Sequence, residues 1–209
     1  ALDRVSVELD EARVGVIGPN GGGKSTFARL INGLTTPTSG QVMVQGLDVA
    51  RNGPAVRRAV GYLFTDPDAQ IVMPTVAEDV AFSLRRLRLG KEETNRRVRQ
   101  ALARFGLEGF DDRPAHQLSG GQKQLLALAA VLVTEPQIVV ADEPTTLLDL
   151  RNSRAMAAVF AELPQQVVLV SHDLDLIAGC DRVICLIEGR LAADGAAAEV
   201  SDFYRRHAT

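Results

Sequence analysis

The sequence predicts an α/β fold, a mainly parallel sheet with helices on its faces, interrupted by an inserted helical stretch. Three observations carry this. Short aliphatic runs bounded by turn residues, such as Val14-Gly-Val-Ile17 and Ile138-Val-Val-Ala141, read as buried strands. These runs alternate with segments of helical periodicity, the pattern of a parallel sheet with crossover helices. Between residues 74 and 133 the alternation stops and only helical signals remain.

The elements follow in order. After Val14–Ile17 comes a glycine-rich turn, then a helical pattern from Lys24 to Ile31 that Asn32-Gly33 stops. Residues 40–46 alternate with period two and read as a half-exposed strand. Gly61-Tyr-Leu-Phe64 reads as a short buried strand running into a turn around Pro67. Thr75-Val-Ala-Glu78 has capping-box spacing and opens a helix to about Leu87; a second helix runs from about Glu92 to Phe105. Ser119-Gly-Gly-Gln122 is another capping-box match and leads an apolar helix to Val133. Strand Ile138–Ala141, a helix from Arg151 to Leu163, strand Val167–Val170, a helix near Asp173–Ala178 and strand Val183–Ile187 complete the pattern.

With 209 residues the chain can bury one substantial core. An apolar fraction of 46% and a charged fraction of 23% are those of an ordinary globular protein. The net charge of −3 gives no electrostatic case for nucleic-acid binding. Cys180 and Cys185 lie in aliphatic sequence without a His or Cys cluster, so they read as reduced core thiols in a reducing compartment. The longest apolar run, Leu125 to Val133, is far short of the ~20 residues that span a bilayer. No signal-peptide pattern opens the chain, which is not expected to enter a membrane by itself. Because it starts close to strand-like sequence, further residues are expected upstream of Ala1.

Gly18-Pro-Asn20-Gly21-Gly22-Gly23-Lys24-Ser25-Thr26 matches the P-loop pattern and stands between a strand and a helix, as that pattern requires. Its glycines let backbone amides curl around phosphate oxygens, with the helix N-terminus adding a positive dipole end. Lys24 would reach the β- and γ-phosphates of a nucleotide, and Ser25 would ligate Mg²⁺. Asp142 and Glu143 follow a buried strand, at the sheet edge where α/β folds bind ligands. Asp142 would hold Mg²⁺ and Glu143 would polarise or deprotonate the attacking water. Ser119 and the amides of Gly120 and Gly121 make an anion site at a helix N-terminus, with Gln122 closing the cap.

Leu118-Ser-Gly-Gly-Gln122 resembles the signature motif of ABC-type ATPases, and the resemblance spans the chain in the expected order. Thr146-Leu-Leu-Asp149 resembles the family's D-loop, and His172 in Val170-Ser-His-Asp173 its switch histidine. His116 and His207 have no such context. The resemblance implies a P-loop NTPase fold with antiparallel β elements near the N-terminus. It implies one ABC ATPase domain over 1–209, with a RecA-like core at 1–73 and 134–209 and a helical signature subdomain at 74–133. It also implies ATP and Mg²⁺ as cofactors and a head-to-tail dimer, with a homodimer favoured, in which one copy's P-loop and the other's signature clamp each ATP.

DNA-repair relatives insert coiled coils or zinc modules between P-loop and signature, and translation relatives carry two cassettes. Neither feature is present, so a transporter motor is expected. Its membrane helices would come from a transmembrane coupling subunit and a substrate-binding membrane subunit, placing this chain peripherally on the cytoplasmic face. Asp66-Pro-Asp-Ala-Gln70 and Pro74-Thr-Val-Ala-Glu-Asp-Val-Ala-Phe82 resemble energy-coupling-factor (ECF) importer ATPases. The run from Asp142 to Asn152 is most similar to the biotin-transport ATPases of that class. A cobalt or nickel importer is the runner-up, and a conventional importer of another solute comes third.

Arg85, Arg86, Arg88, Lys91, Arg96, Arg97 and Arg99 read either as a solvated helix face or as a face toward a membrane partner or anionic lipid. Three departures from the family stand out. No aromatic residue precedes the first strand to stack on adenine, Gly22 replaces a common serine, and Thr65 stands where a glutamine contacts Mg²⁺ or the attacking water. Gln70, five residues on, would either join the groove that receives the partner or fill the place beside Mg²⁺.

Overall fold

The computed structural model describes residues 1–207. A six-stranded sheet organises the chain. Its strands are β1 (Arg13–Ile17), β4 (Val60–Leu63), β5 (Ile138–Asp142), β6 (Gln166–Val170), β7 (Arg182–Ile187) and β8 (Arg190–Gly195), in the order β4-β5-β6-β1-β7-β8. All neighbours are parallel except β7 and β8. The C-terminal ends of β1, β4, β5 and β6 therefore share one edge, and the loops leaving them meet there.

A two-stranded hairpin, β2 (Met43–Val44) with β3 (Leu47–Asp48), stands apart. The strand expected over 40–46 is thus shortened to two residues, because Gln45 and Gly46 both take positive φ (51° and 73°) and turn the chain. This hairpin supplies the antiparallel element expected toward the N-terminus; no strand is assigned within residues 1–12.

The helices are α1 (Lys24–Asn32), α2 (Val49–Ala59), α3 (Val76–Leu84), α4 (Lys91–Arg104), α5 (Gly120–Leu132), α6 (Leu150–Glu162), α7 (Leu174–Ile177) and α8 (Ala197–His207). The capping box predicted at Ser119 is complete: its Oγ accepts from Gln122 N, and Gln122 Oε1 accepts from Ser119 N at 3.0 Å. At Thr75 only half of it forms, since Glu78 turns its carboxylate to the Thr75 hydroxyl (2.8 Å) and not to the backbone amide. The helix opened there ends at Leu84 and passes into a 3₁₀ turn over Arg85–Leu87.

Strand residues alternate between two apolar layers, as a period of two dictates. Val14, Val16, Val60, Tyr62, Val140 and Val168 face α1 and α2. Ile17, Leu63, Val139, Ala141 and Leu169 face a second layer that also takes in Val76, Val80, Leu84, Val98, Leu102 and Leu126 from α3, α4 and α5. The inserted helices thus share their apolar layer with the sheet, which fixes the 64–75 connection at the site edge.

Candidate active site

Residues 18–23 carry the chain from the end of β1 to the start of α1. Gly23 caps α1 without any side-chain hydrogen bond, leaving the first-turn amides open to an anion. The loop lies directly on β7. A Cβ on Gly18 would come within 2.0 Å of the Leu186 carbonyl oxygen, and one on Gly22 within 2.7 Å of the same atom. Glycine at position 22 is therefore required by this contact alone. Gly21 faces open space, Asn20 is exposed and Thr26 is half-buried on the first turn of α1.

Lys24 is 6% exposed, and its Nζ donates to Gly18 O (2.8 Å) and Pro19 O (3.2 Å). The ammonium is thus held by the loop it belongs to, 3.8 Å from Glu143 Oε1. Ser25 Oγ donates to Asp142 Oδ1 at 3.1 Å. The other carboxylate oxygen of Asp142 accepts from the Tyr62 hydroxyl at 2.9 Å, and its main-chain oxygen accepts from Thr65 Oγ1 at 2.9 Å. A buried carboxylate beside a hydroxyl is an all-oxygen donor set, which fits a hard divalent cation such as Mg²⁺.

Glu143 takes φ of 52°, the left-handed region that a non-glycine residue occupies at a cost. Its amide donates to Val170 O at 2.8 Å, pinning the β5 end to β6. Glu143 Oε2 lies 2.8 Å from His172 Nδ1 and accepts from Thr146 Oγ1 (3.2 Å) and Ser171 Oγ (3.3 Å). An ionised carboxylate can only accept, so a hydrogen bond in this pair requires the tautomer with the proton on His172 Nδ1.

The structure brings Lys24, Ser25, Asp142, Glu143 and His172 to one sheet edge. Ser119, Gly120, Gly121 and Gln122 stand elsewhere; among the described residues no hydrogen bond joins them to residues 18–26. Ser119 and Gly120 are exposed, as is Leu147, whose main chain lies next to Gly120 and which is 60% exposed.

Gln70 is held on β4's edge, its Oε1 accepting from Phe64 N (3.0 Å) and its Nε2 donating to Tyr62 O (3.2 Å). It lines a cleft of about 600 Å³ together with Val72, Phe82, Arg85, Arg86 and Arg57. Asp79, buried under the rim, accepts from the amides of Val72 and Met73, and burial pushes its carboxyl above the usual range. Lys123 bridges both oxygens of Asp68 at 2.7 and 2.9 Å, tying the Gln70 segment to α5. The basic residues divide. Arg96 and Arg97 pair with Glu93, whose carboxyl they hold down to about 2, whereas Arg85 lies over the Phe82 ring and Arg86 donates to Arg57 O. Among the described residues no helix is long and apolar enough to cross a membrane.

The glycine loop before α1, the Ser25–Asp142 oxygens and the Glu143–His172 pair at one sheet edge are the groups that nucleoside triphosphate hydrolysis would need. Comparison with known proteins narrows the class. The family model described as ABC transporter matches residues 2–146. The biotin transport ATP-binding protein BioM of Rhizobium etli is 50% identical over 205 residues, which cover 98% of this chain and 91% of that protein. The solved structure of cbiO1 from Clostridium perfringens, described as part of the ABC transporter complex cbiONQ, has a TM-score of 0.86 at 34% identity, covering 99% of this chain and 86% of that one. A dimeric ATP-binding cassette in a post-hydrolysis state with ADP and Pi has a TM-score of 0.84 at 29% identity, covering 94% and 90%. The chain belongs to the ABC transporter family and is an ATP-binding, ATP-hydrolysing subunit of that class.

Sequence reasoning did not find Tyr62, whose hydroxyl reaches Asp142 only through the β4–β5 register, Tyr62 opposite Val140. The sole hint was an aromatic residue with a polar tip in a buried strand.

Proposed function

We propose that this chain is the motor subunit of an ECF-type importer, with biotin as the transported solute. The observation that carries the motor is Glu143, held 2.8 Å from His172 and 3.8 Å from Lys24, next to the Ser25–Asp142 pair. The P-loop amides and Lys24 bind the ATP phosphates, and Ser25 and Asp142 hold Mg²⁺. Mg²⁺ supplies charge neutralisation for phosphoryl transfer. Glu143 takes the proton of the attacking water, and His172 orients that carboxylate and meets the γ-phosphate.

Ser119, Gly120, Gly121 and Gln122 complete the ATP site of a second copy in a head-to-tail dimer. The exposure of Ser119 and Gly120, and of Leu147 next to Gly120, supports this. The helical segment 74–133 acts as the signature subdomain, with 1–73 and 134–209 as the core. The cleft at Gln70, rimmed by Val72 (61% exposed) and Phe82 (42% exposed), receives the transmembrane coupling subunit at the cytoplasmic face of the membrane. A separate membrane subunit binds the solute.

Biotin is favoured by the 50% identity to the Rhizobium etli biotin transport protein. Cobalt or nickel is the second reading, carried by the resemblance of residues 66–70 and 74–82 to ECF importer ATPases; likeness to cbiO1, described as part of an ABC transporter complex, supports the transporter class alone. Uptake of labelled biotin against labelled cobalt by vesicles containing the assembled complex separates the two. ATP-dependent biotin accumulation is expected; accumulation of cobalt alone would overturn the biotin assignment.

A further inference from the structure

Tyr62 stands outside every motif in the chain, yet among the described residues it makes one of the two side-chain hydrogen bonds to the Asp142 carboxylate. The two oxygens of Asp142 are divided between Ser25 Oγ at 3.1 Å and the Tyr62 hydroxyl at 2.9 Å. We propose that Tyr62 is a positioning residue for the divalent cation: by donating to Asp142 Oδ2 it fixes the carboxylate so that Oδ1 faces Ser25 and the metal.

Several features make the arrangement rigid. Tyr62 is 7% exposed, lies in β4 opposite Val140 of β5, and packs against the Phe64 ring with centroids 4.7 Å apart. With its ring immobile, the hydroxyl has one acceptor within reach. A carboxylate held at one oxygen loses the freedom to rotate away from its cation, which is how outer partners of a metal site act.

The inference rests on the reading of Asp142 as the residue that holds Mg²⁺, and the test separates the two. In protein carrying Glu143→Gln, the affinity of a fluorescent ATP analogue is followed as Mg²⁺ is titrated. Tyr62→Phe, which removes only the oxygen, is expected to raise the half-saturating Mg²⁺ concentration roughly 10-fold, the size usual for lost outer partners. Analogue affinity in EDTA should be unchanged, since the phosphate cradle keeps its contacts; a purely structural defect would lower both. In an Asp142→Asn background Tyr62→Phe should add nothing further. An unshifted Mg²⁺ midpoint in Tyr62→Phe while Asp142→Asn shifts it would overturn the role of Tyr62 alone. An unshifted midpoint in Asp142→Asn would overturn the cation role of Asp142 and this inference with it. A full Tyr62→Phe effect persisting in the Asp142→Asn background would overturn the proposal by showing that the hydroxyl acts elsewhere.

Discussion

Residues 18–26 and residues 119–122 each end a loop on a helix N-terminus, but they are built in opposite ways. At α1 the cap is Gly23, with no side chain to satisfy the first-turn amides, and the neighbouring Lys24 is buried and held by its own loop. At α5 the cap is Ser119, fully engaged in a reciprocal box with Gln122 and exposed at the surface. The first terminus is prepared for an anion inside this chain. The second is already stable and is presented outward. An uncapped terminus backed by a cation and a capped terminus presented outward are what the proposed site, divided between two molecules, would require.

The largest effect should come from the inner half. Glu143→Gln is expected to lower turnover by roughly 10²- to 10⁴-fold, the range for losing a general base, while ATP binding persists. Single-turnover hydrolysis close to that of the unaltered protein would remove Glu143 from the chemistry. Lys24→Ala should weaken ATP binding by about 100-fold, because several charge-assisted contacts disappear together. Equilibrium binding of labelled ATP reads this, and an unchanged Kd would show that the cradle works without its cation.

A smaller and more selective change is expected at the cleft. Gln70→Ala frees the edge of β4 and should impair coupling to the membrane partner while leaving basal hydrolysis within about twofold, its contacts being two neutral hydrogen bonds. Collapse of basal hydrolysis in the isolated protein would move Gln70 to the cation instead. The smallest effect concerns the thiols. Burial pushes Cys180 up to about 12 and Cys185 up to about 11. Neither should react with a thiol reagent at neutral pH until the protein unfolds; rapid labelling of the folded chain would contradict their burial.

Much of this was legible in the sequence because the P-loop, the Asp142-Glu143 pair, the Ser119 cap and His172 are contiguous words with fixed backbone chemistry. The helix α2 was not, since Asn52, Gly53 and Pro54 interrupt its periodicity and Asn52 leaves helical geometry altogether (φ −118°). The edge strand β8 and the helix α8 were also missed, β8 because it is rich in small residues and half-exposed. Strand register was the deeper obstacle. Nothing in the run from Gly61 to Gln70 says that Tyr62 lies across from Val140, that Thr65 gives its hydroxyl to the Asp142 main chain, or that Gln70 folds back on Tyr62 and Phe64. Thr65, standing where the family has glutamine, closes the end of β5, and the cleft side of the segment falls to Gln70.

The divided site is tested most directly by the mass in solution of the Glu143→Gln protein, measured by light scattering with and without Mg²⁺ and ATP. A site shared between two copies predicts a shift from monomer to dimer on adding ATP, and loss of that shift when Ser119→Arg is added, with ATP binding by the monomer retained. A protein that stays monomeric with ATP bound, or a dimer that survives Ser119→Arg, would contradict it.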